Sequence, residues 1–329
     1  FVVVSFPRET NLSGWALTDG ETTASLPPRR VSGRVAFSTT PATTRNLTDY
    51  RVLPLTDAVS LSNEGETVSL QENGTVATVT YPEATEGETW LPGTGEWRPL
   101  GATDRPSVST DASRARAFVL PDAPGVPVET VRSADDRVLL AGYTFTSRRM
   151  AAALAAAERR GVQVRVLVDD GPVGGITRRE AAVLDSLADG GVDVEVIGGA
   201  RARYEFHHAK YAVVDDRALV LTENWKPSGT GGHGSRGWGV VVPGEATARE
   251  LAEVFRADVG WNDTRSWERF RRGQSFEPSS PANETYPTRF APETVPVESV
   301  TLVTAPDNAE SAVVSLLRSA NDSVHLEQM

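Results

Sequence analysis

The sequence predicts a multidomain protein in which an all-β domain precedes a layered α/β domain and the start of a second α/β repeat. Three observations support this prediction. The first hundred or so residues alternate in short runs separated by turn residues. From about residue 115 the pattern changes to strands that alternate with helices. A nine-residue segment of this α/β region then recurs near the end of the sequence.

Residues 1 to about 105 are expected to form the all-β domain, because they are rich in Thr, Ser, Gly and Pro. The alternating runs Thr67–Leu70 and Thr75–Val79 are typical of strands with one buried face. Between them stands Asn73-Gly74, a dipeptide that favours a tight hairpin turn. The sequence starts inside an apolar run, so a first strand is expected to lie upstream.

Residues 115–262 are expected to form the layered α/β domain. The apolar runs predict strands at Val138–Tyr143, Val162–Val168, Val192–Ile197, Phe206–Val214, Ala218–Leu221 and Trp238–Val242. Helices are predicted at Arg148–Arg160, Arg178–Asp189 and Ala246–Asp258. Residues 263–298 are richer in Pro, Ser, Arg and Glu and are predicted to be a linker.

The segment Arg132–Leu140 recurs as Arg318–Leu326, with six of nine positions identical at an offset of 186 residues. Residues 299–329 are therefore predicted to be the truncated start of a second α/β repeat. Any counterpart of the first repeat's functional residues is then expected beyond Met329.

Charge is the most unusual bulk property, since 44 Asp and Glu against 33 Lys and Arg give a net charge of −11. Lys210 and Lys226 are the two lysines, so nearly all basic residues are arginines. This composition predicts adaptation to high salt, where repulsion is screened within about 3 Å; GC-rich codon usage is the alternative explanation for the arginines. Zero cysteines exclude disulfides and thiolate metal sites. No apolar run reaches the roughly 18 residues typical of a membrane-spanning helix.

The spacing His208-x-Lys210-x4-Asp215 is the strongest functional signal. Residues two apart on a strand share a face, so His208 and Lys210 are expected to project together. An imidazole can attack phosphorus while a neighbouring ammonium neutralises the phosphoryl oxygens. This chemistry needs no metal or cofactor. In a chain with two lysines, the placement of Lys210 favours a functional interpretation.

This spacing resembles the signature of the phospholipase D superfamily, and the resemblance covers about 115–262. It implies that two such motifs converge on one site. One histidine forms a covalent phosphohistidine, and the other protonates the leaving alcohol and then activates water. For this chain it implies His208 as nucleophile or acid/base, Lys210 as phosphate anchor, and Asp215 as a partner of the site, for instance in orienting the histidine. The second half-site is expected from a downstream repeat or from a homodimer.

Candidate substrate-binding residues lie in two later segments. Thr222 and Asn224 stand where the family has Gly-Ser/Thr-x-Asn, although the glycine is absent and Asn224 arrives one residue early. Ser235 opens a segment that resembles the closing part of a half-domain. His207 is expected to face away from His208, and His233 to be a loop residue.

No metal site is predicted. Asp169 and Asp170 follow a strand and suit a turn. With four histidines, zero cysteines and no His-Glu-x-x-His spacing, zinc is disfavoured.

The β domain resembles the lamin tail domain, a small immunoglobulin-like sandwich whose members are usually binding or attachment modules. The residues that carry this resemblance are Asn11–Trp15, Leu17, Asp19, Gly20, Leu61, Asn63, Gly65, Glu66, Val68, Leu70, Asn73, Gly74 and Val79–Tyr81.

The leading functional hypothesis is a phospholipase D-type hydrolase or transferase, with a phospholipid as the expected substrate. The alternatives are a nuclease of the same superfamily and a non-catalytic binding or scaffold protein. An acidic chain without a basic groove disfavours nucleic acid, although salt adaptation weakens that argument. Asn-x-Ser/Thr acceptors favour export or the cell surface over the cytoplasm; they lie at Asn11, Asn46, Asn73, Asn262, Asn283 and Asn321.

Overall fold

A computed structural model of the protein describes residues 1–48, 50–57, 59–84, 87–93, 95–199, 202–230, 234–279 and 288–326. The chain divides into two compact units, Phe1–Ala102 and Thr103–Met329. The first unit ends three residues before the expected end of the β domain at about 105. Among the described residues, no helix is long and apolar enough to cross a bilayer.

The first unit consists of short strands around one core. Its elements are β1 (Val2–Asn11), β2 (Trp15–Thr18), β3 (Thr23–Ser25), β4 (Arg30–Ser38), α1 (Pro41–Thr44), β5 (Arg51–Pro54), β6 (Glu66–Glu72), β7 (Thr75–Tyr81), β8 (Glu88–Leu91) and β9 (Glu96–Pro99). Strands β1, β4 and β5 form one sheet, β3, β2, β6 and β7 form a second, and β8 pairs with β9. Phe6 of β1 packs edge-on against Trp15 of β2, so the two larger sheets share a core.

The predicted hairpin at Asn73-Gly74 is present. Strands β6 and β7 pair antiparallel on either side of it, and both residues have positive φ, 52° and 144°. The all-β character of this unit follows the alternation read from the sequence. Its resemblance to the lamin tail domain stays a prediction.

The second unit is a large mixed sheet with helices on both faces, as the layered α/β prediction requires. Its elements are β10 (Val108–Asp111), β11 (Arg114–Leu120), α2 (Gly125–Arg132), β12 (Arg137–Gly142), α3 (Arg148–Arg159), β13 (Gln163–Asp169), α4 (Arg178–Asp189), β14 (Asp193–Ile197), β15 (Lys210–Val214), β16 (Arg217–Leu221), α5 (Pro227–Thr230), β17 (Gly237–Pro243), α6 (Glu245–Val259), β18 (Thr264–Ser266), α7 (Trp267–Arg271), β19 (Glu293–Pro296), β20 (Ser299–Leu302) and α8 (Ala309–Arg318).

The order of strands in this sheet is β18-β14-β13-β12-β15-β16-β17-β11-β19. Strands β12, β13 and β14 are parallel neighbours, whereas β15 runs antiparallel to β12 and continues into the β16 and β17 meander. The carboxyl ends of the three parallel strands and the start of β15 therefore lie along the same edge of the sheet.

Two boundaries differ from those predicted. The strand expected at Phe206–Val214 begins only at Lys210, because the backbone N–H of His207 donates to the side chain of Asp169 instead of to a neighbouring strand. The linker predicted at 263–298 is wrong for its first part, where β18 pairs with β14 and Trp267 is buried. It is also wrong for β19, which pairs with β11.

A long antiparallel ladder joins 108–117 to 293–302, through the pairs of β10 with β20 and of β11 with β19. At its middle the N–H of Ala112 donates to the carbonyl of Glu298. These residues are 186 positions apart (298 minus 112), which is the offset of the predicted repeat. Antiparallel pairing of equivalent segments from two repeats would give a ladder with this centre. The second repeat itself stays a prediction.

Candidate active site

The predicted motif lies at the edge of the sheet where β12 ends and β15 begins. Lys210 is the first residue of β15 and pairs with Gly142, the last residue of β12. His208 precedes the strand and is exposed, whereas Lys210 is 8% exposed. The ladder to β12 thus places the motif beside Tyr143, which follows Gly142 directly.

Buried polar contacts hold the loop that carries His208. Asp169, at the end of β13, accepts the backbone N–H of His207 at 2.6 Å. The Nε2 atom of His207 lies 2.9 Å from Oδ2 of Asp258 in α6. His207 therefore turns toward α6 and serves as an anchor, which leaves His208 as the histidine that faces outward.

Arg203 holds the same loop from its other end. Its guanidinium is almost fully buried and donates to both carboxylate oxygens of Asp263 at 2.9 and 3.0 Å. It also donates to the carbonyls of Ala257 and Asp258 at the end of α6. A buried charge with this many partners fixes the backbone around it.

His208 and Lys210 are in direct contact. The Nζ atom of Lys210 lies 2.9 Å from Nδ1 of His208 and donates to its carbonyl at 2.7 Å. The ring of Tyr143 packs edge-on against the His208 ring with centroids 4.3 Å apart, and the Lys210 ammonium lies 5.4 Å from the same ring's centroid. The Tyr143 hydroxyl accepts the N–H of Val173 at 2.6 Å. One aromatic ring therefore positions both motif residues.

This contact determines the tautomer of His208. An ammonium can only donate, so when Lys210 is charged it donates to Nδ1 of His208. A neutral imidazole then carries its single proton on Nε2. In that state neither ring nitrogen offers a free lone pair. Attack by His208 therefore requires Lys210 to leave Nδ1.

Burial shifts the pKa values of both groups toward their neutral forms. Burial lowers the pKa of Lys210 to about 8; Lys226 acts in the same direction and the carboxylate of Glu223 opposes it. Burial, followed by the charge of Lys210, lowers the pKa of His208 below its ordinary value. At neutral pH the pair is therefore a neutral imidazole beside an ammonium.

Asp215 does not reach the site. It lies beyond the opposite end of β15, where its carboxylate accepts the backbone N–H groups of Asp135, Asp136 and Arg137 at 2.9 to 3.0 Å. Arg217 donates to it at 3.3 Å. The predicted role of Asp215 in orienting His208 does not agree with this placement. Because each carboxylate oxygen is occupied, Asp215 is a structural residue that ties the β15–β16 turn to the start of β12.

The predicted substrate-binding residues have different surroundings. The Thr222 hydroxyl accepts the N–H of Trp238 at 2.9 Å and so joins β16 to β17. Asn224 has a buried side-chain oxygen that finds no hydrogen-bond partner among the described residues. Ser235 is half-buried and donates its backbone N–H to Ser228. Asn224 thus offers a buried oxygen with free hydrogen-bonding capacity. His233 lies outside the described residues.

Three residues near the motif were missed by the sequence analysis as site residues: Tyr143, Glu223 and Lys226. The signal for Lys226 was present, since it is the second lysine of the chain. Tyr143 lies in an unremarkable sequence context, whereas Glu223 stands between the candidate residues Thr222 and Asn224. Among the described residues, no cluster of three or more His, Asp and Glu side chains could hold a metal ion.

A cavity of about 1050 Å³ has His208 and Lys210 in its wall. It is formed within the second unit, and most of its other lining is apolar, including Tyr143, Val173, Phe206, Val220, Leu251, Val254, Leu302 and Val303. The side chain of Val173 is 80% exposed. The motif therefore borders a large apolar space.

Residues 128–259 match the protein family described as "Cardiolipin synthase, PLD-like domain". Nuc, a phospholipase D family member from Salmonella typhimurium, aligns at 21% identity over 49% of this chain and 99% of its own, with a TM-score of 0.41. NucT from Helicobacter pylori aligns at 18% identity over 49% of this chain and all of its own, with a TM-score of 0.40. Phosphatidylserine synthase from Haemophilus influenzae Rd KW20 aligns at 16% over 55% and 45% of the two chains, with a TM-score of 0.37. No curated protein matches the sequence.

Proposed function

Since the chain belongs to the phospholipase D superfamily through its domain at residues 128–259, we propose that it is a phosphodiester hydrolase or transferase that acts on phospholipids through His208. The observation that carries this proposal is the direct contact of Lys210 with Nδ1 of His208 at the wall of an apolar cavity. The pair supplies a nucleophile and a positive charge for the phosphoryl oxygens.

The proposed reaction begins when a phosphodiester anion draws the Lys210 ammonium away from Nδ1 of His208. Nδ1 can then hold the imidazole proton, and Nε2 becomes free to attack phosphorus. A bond forms between Nε2 and phosphorus while the bond to the leaving alcohol breaks, and the alcohol oxygen takes a proton from an acid. Water or a second alcohol, losing its proton to the same group as base, then displaces the histidine and restores it.

The acid in this scheme is proposed to be a second histidine, from a downstream repeat or from a second copy of the chain. His207 does not serve as this acid, because its Nε2 is engaged by Asp258 and the side chain is 8% exposed. The described part of the chain therefore provides one half of the proposed catalytic pair.

The lining of the cavity supports a lipid substrate. Its apolar side chains suit hydrocarbon, whereas a nucleic acid would require a row of basic groups along its backbone. The net charge of −11 also disfavours binding of a nucleic acid. A surface-attached or exported enzyme, with the β unit as attachment module, completes the proposal.

The test is to measure release of choline from phosphatidylcholine vesicles in molar salt by the wild-type protein, His208→Ala and Lys210→Ala. We expect both substitutions to lower the rate by at least about a hundredfold, the scale of a lost catalytic group. His325→Ala is the matched control, since His325 is exposed and lies in another part of the chain. Equal rates in wild type and His208→Ala would refute the assignment. Cleavage of single-stranded DNA but not of lipid would favour the nuclease alternative.

A second measurement identifies the intermediate. Rapid acid-free quenching of a reaction with a phosphorus-labelled substrate should leave label on wild-type protein that is stable to base and labile to acid, as expected of a phosphohistidine. If the His208→Ala variant carries no label while the other proteins do, the phosphohistidine is assigned to His208. Label that persists in His208→Ala would place the nucleophile elsewhere.

A further inference from the structure

Glu223 is a buried carboxylate at the same edge of the sheet as the motif. Its side chain is 9% exposed and lies between two glycines. A Cβ atom added at Gly237 would lie 2.3 Å from its Cγ, and one added at Gly229 would lie 2.7 Å from its Cβ. Among the described residues its carboxylate makes no hydrogen bond. The local packing thus makes room for a charged side chain that has no local hydrogen-bond partner, which is costly unless nearby positive charge compensates it.

Glu223 lies just beyond the end of β16, at the edge of the sheet that carries the motif. Strands β15 and β16 pair antiparallel, and Tyr211 lies opposite Val220. The same register brings Lys210, the first residue of β15, level with Leu221, the last residue of β16. Glu223 follows Leu221 by two residues, so it lies at the same edge of the sheet as Lys210.

The indole of Trp225 holds this segment in place. Its Nε1 donates to the carbonyl of Ala141 at 2.8 Å, and its ring covers Gly142, the strand partner of Lys210. The charges that act on Lys210 are those of Glu223 and Lys226. The cluster of Lys210, Lys226 and Glu223 therefore has two ammonium groups and one carboxylate, and its net charge is one positive unit.

We propose that Glu223 is a specificity-determining residue that limits the positive charge of the site, so that it accepts singly charged phosphodiesters and rejects doubly charged phosphomonoesters. A diester anion balances the cluster, whereas a monoester dianion, the dominant form above about pH 6, leaves an uncompensated negative charge beside a buried carboxylate. The inference rests on the proposed function, because it assigns a charge preference to the same phosphate site. It also gives a product phosphomonoester a reason to leave.

The experiment measures binding, so it does not depend on turnover. The full chain would be titrated at pH 7.5 with dimethyl phosphate, a monoanion, and with methyl phosphate, a dianion, by calorimetry in wild type and Glu223→Gln. We expect the wild-type protein to bind the diester more tightly than the monoester. Glu223→Gln should raise the affinity for methyl phosphate by a factor at least about ten times larger than the factor for dimethyl phosphate, a difference of about 1.4 kcal/mol. Glu180, whose pKa burial raises to about 7, acts electrostatically with Lys226 and is left unchanged in both proteins.

Two further variants complete the test. Glu245→Gln removes an exposed carboxylate in the first turn of α6 and should leave the preference unchanged. Glu223→Asp keeps the charge and should keep the diester preference, including where Glu223→Gln folds poorly. An unchanged ratio of the two affinities in a folded Glu223→Gln overturns the role of Glu223 alone. Failure of wild type to bind either ester, with Lys210→Ala no different, overturns the phosphate site and the proposed function with it.

Discussion

At the scale of single residues, the protonation state of His208 depends on the charge of Lys210. The charged lysine lies 2.9 Å from Nδ1 of His208 and the two groups compete for one proton. Burial lowers the pKa of both groups, and the charge of Lys210 lowers the pKa of His208 further. The working state is therefore confined to the pH range in which the imidazole is neutral and the ammonium is still charged.

The pH dependence of kcat/KM for phosphodiester cleavage should reflect this range. The rate should rise through a pKa below about 6.5, the ordinary histidine value, as His208 loses its proton. It should fall through about 8 as Lys210 loses its charge. In Lys210→Arg the falling limb should move above about pH 10, since arginine stays charged. A wild-type falling limb near pH 10 would contradict the assignment of Lys210.

Asp215 is expected to affect stability rather than chemistry. Its burial alone would raise its pKa, but the backbone N–H donors of Arg137, Asp135 and Asp136 hold the pKa below its ordinary value. A carboxyl with a lowered folded-state pKa stabilises the fold above its unfolded pKa, and this contribution is lost as pH falls through the folded value. Asp215→Asn should therefore lower the free energy of unfolding by about 1–3 kcal/mol at pH 7.

Urea denaturation at several pH values checks this prediction. The difference between wild type and Asp215→Asn should shrink as the pH falls below about 4, the ordinary pKa of aspartate. Asp216→Asn is the matched control, because Asp216 is next in sequence but its side chain is 66% exposed. An equal loss in both variants would show that the backbone contacts of Asp215 carry no special weight.

At the scale of elements, the junction of β12 and β15 depends on the Tyr143 ring. Tyr143→Phe keeps the ring contact with His208 and loses only the hydrogen bond from Val173. We expect it to cost about 1 kcal/mol of stability and to change kcat less than about threefold. Tyr143→Leu loses the ring and should lower kcat about tenfold or more, because the nucleophile is no longer held in one orientation. Equal kcat values in the two variants would argue against a positioning role.

The same junction leaves no space for a side chain at Gly142. A Cβ atom there would lie 2.5 Å from Cδ1 of the fully buried Trp225. Gly142→Ala should therefore destabilise the fold by about 1–3 kcal/mol and displace the segment that carries Glu223. Gly171→Ala is the control, since nothing lies within 4 Å of its added Cβ. Thermal unfolding of the two variants compares them directly, and similar midpoints would contradict the packing described for β12.

At the scale of the whole molecule, the net negative charge should make the stability of the fold depend on ionic strength. With a net charge of −11, self-repulsion should destabilise the protein at low ionic strength. Raising KCl from 0.1 to 2 M shortens the screening length from about 10 Å to below about 3 Å, so the unfolding midpoint should rise by several degrees. Sucrose at matched osmolality serves as an uncharged control. A midpoint that stays constant or falls with KCl would contradict the predicted adaptation to salt.

Part of the site was accessible from local spacing, and part was not. His208 and Lys210 were predicted together because they are two residues apart on an extended segment. Asp215 was predicted to join them, but five more residues of strand carry it to the far end of β15. The motif spacing predicts that Asp215 is important, but it does not predict that its carboxylate binds the start of β12.

The sequence by itself determined the change from β to α/β structure, the Asn73-Gly74 hairpin and the pairing of imidazole with ammonium. Each depends on the conformation of a few consecutive residues. Only the tertiary structure decided that Tyr143 supports His208, that Glu223 lies at the same edge of the sheet as Lys210, and that residues 264–271 belong to the α/β unit. These relations depend on strand order and register, which hydrogen bonds between distant segments establish.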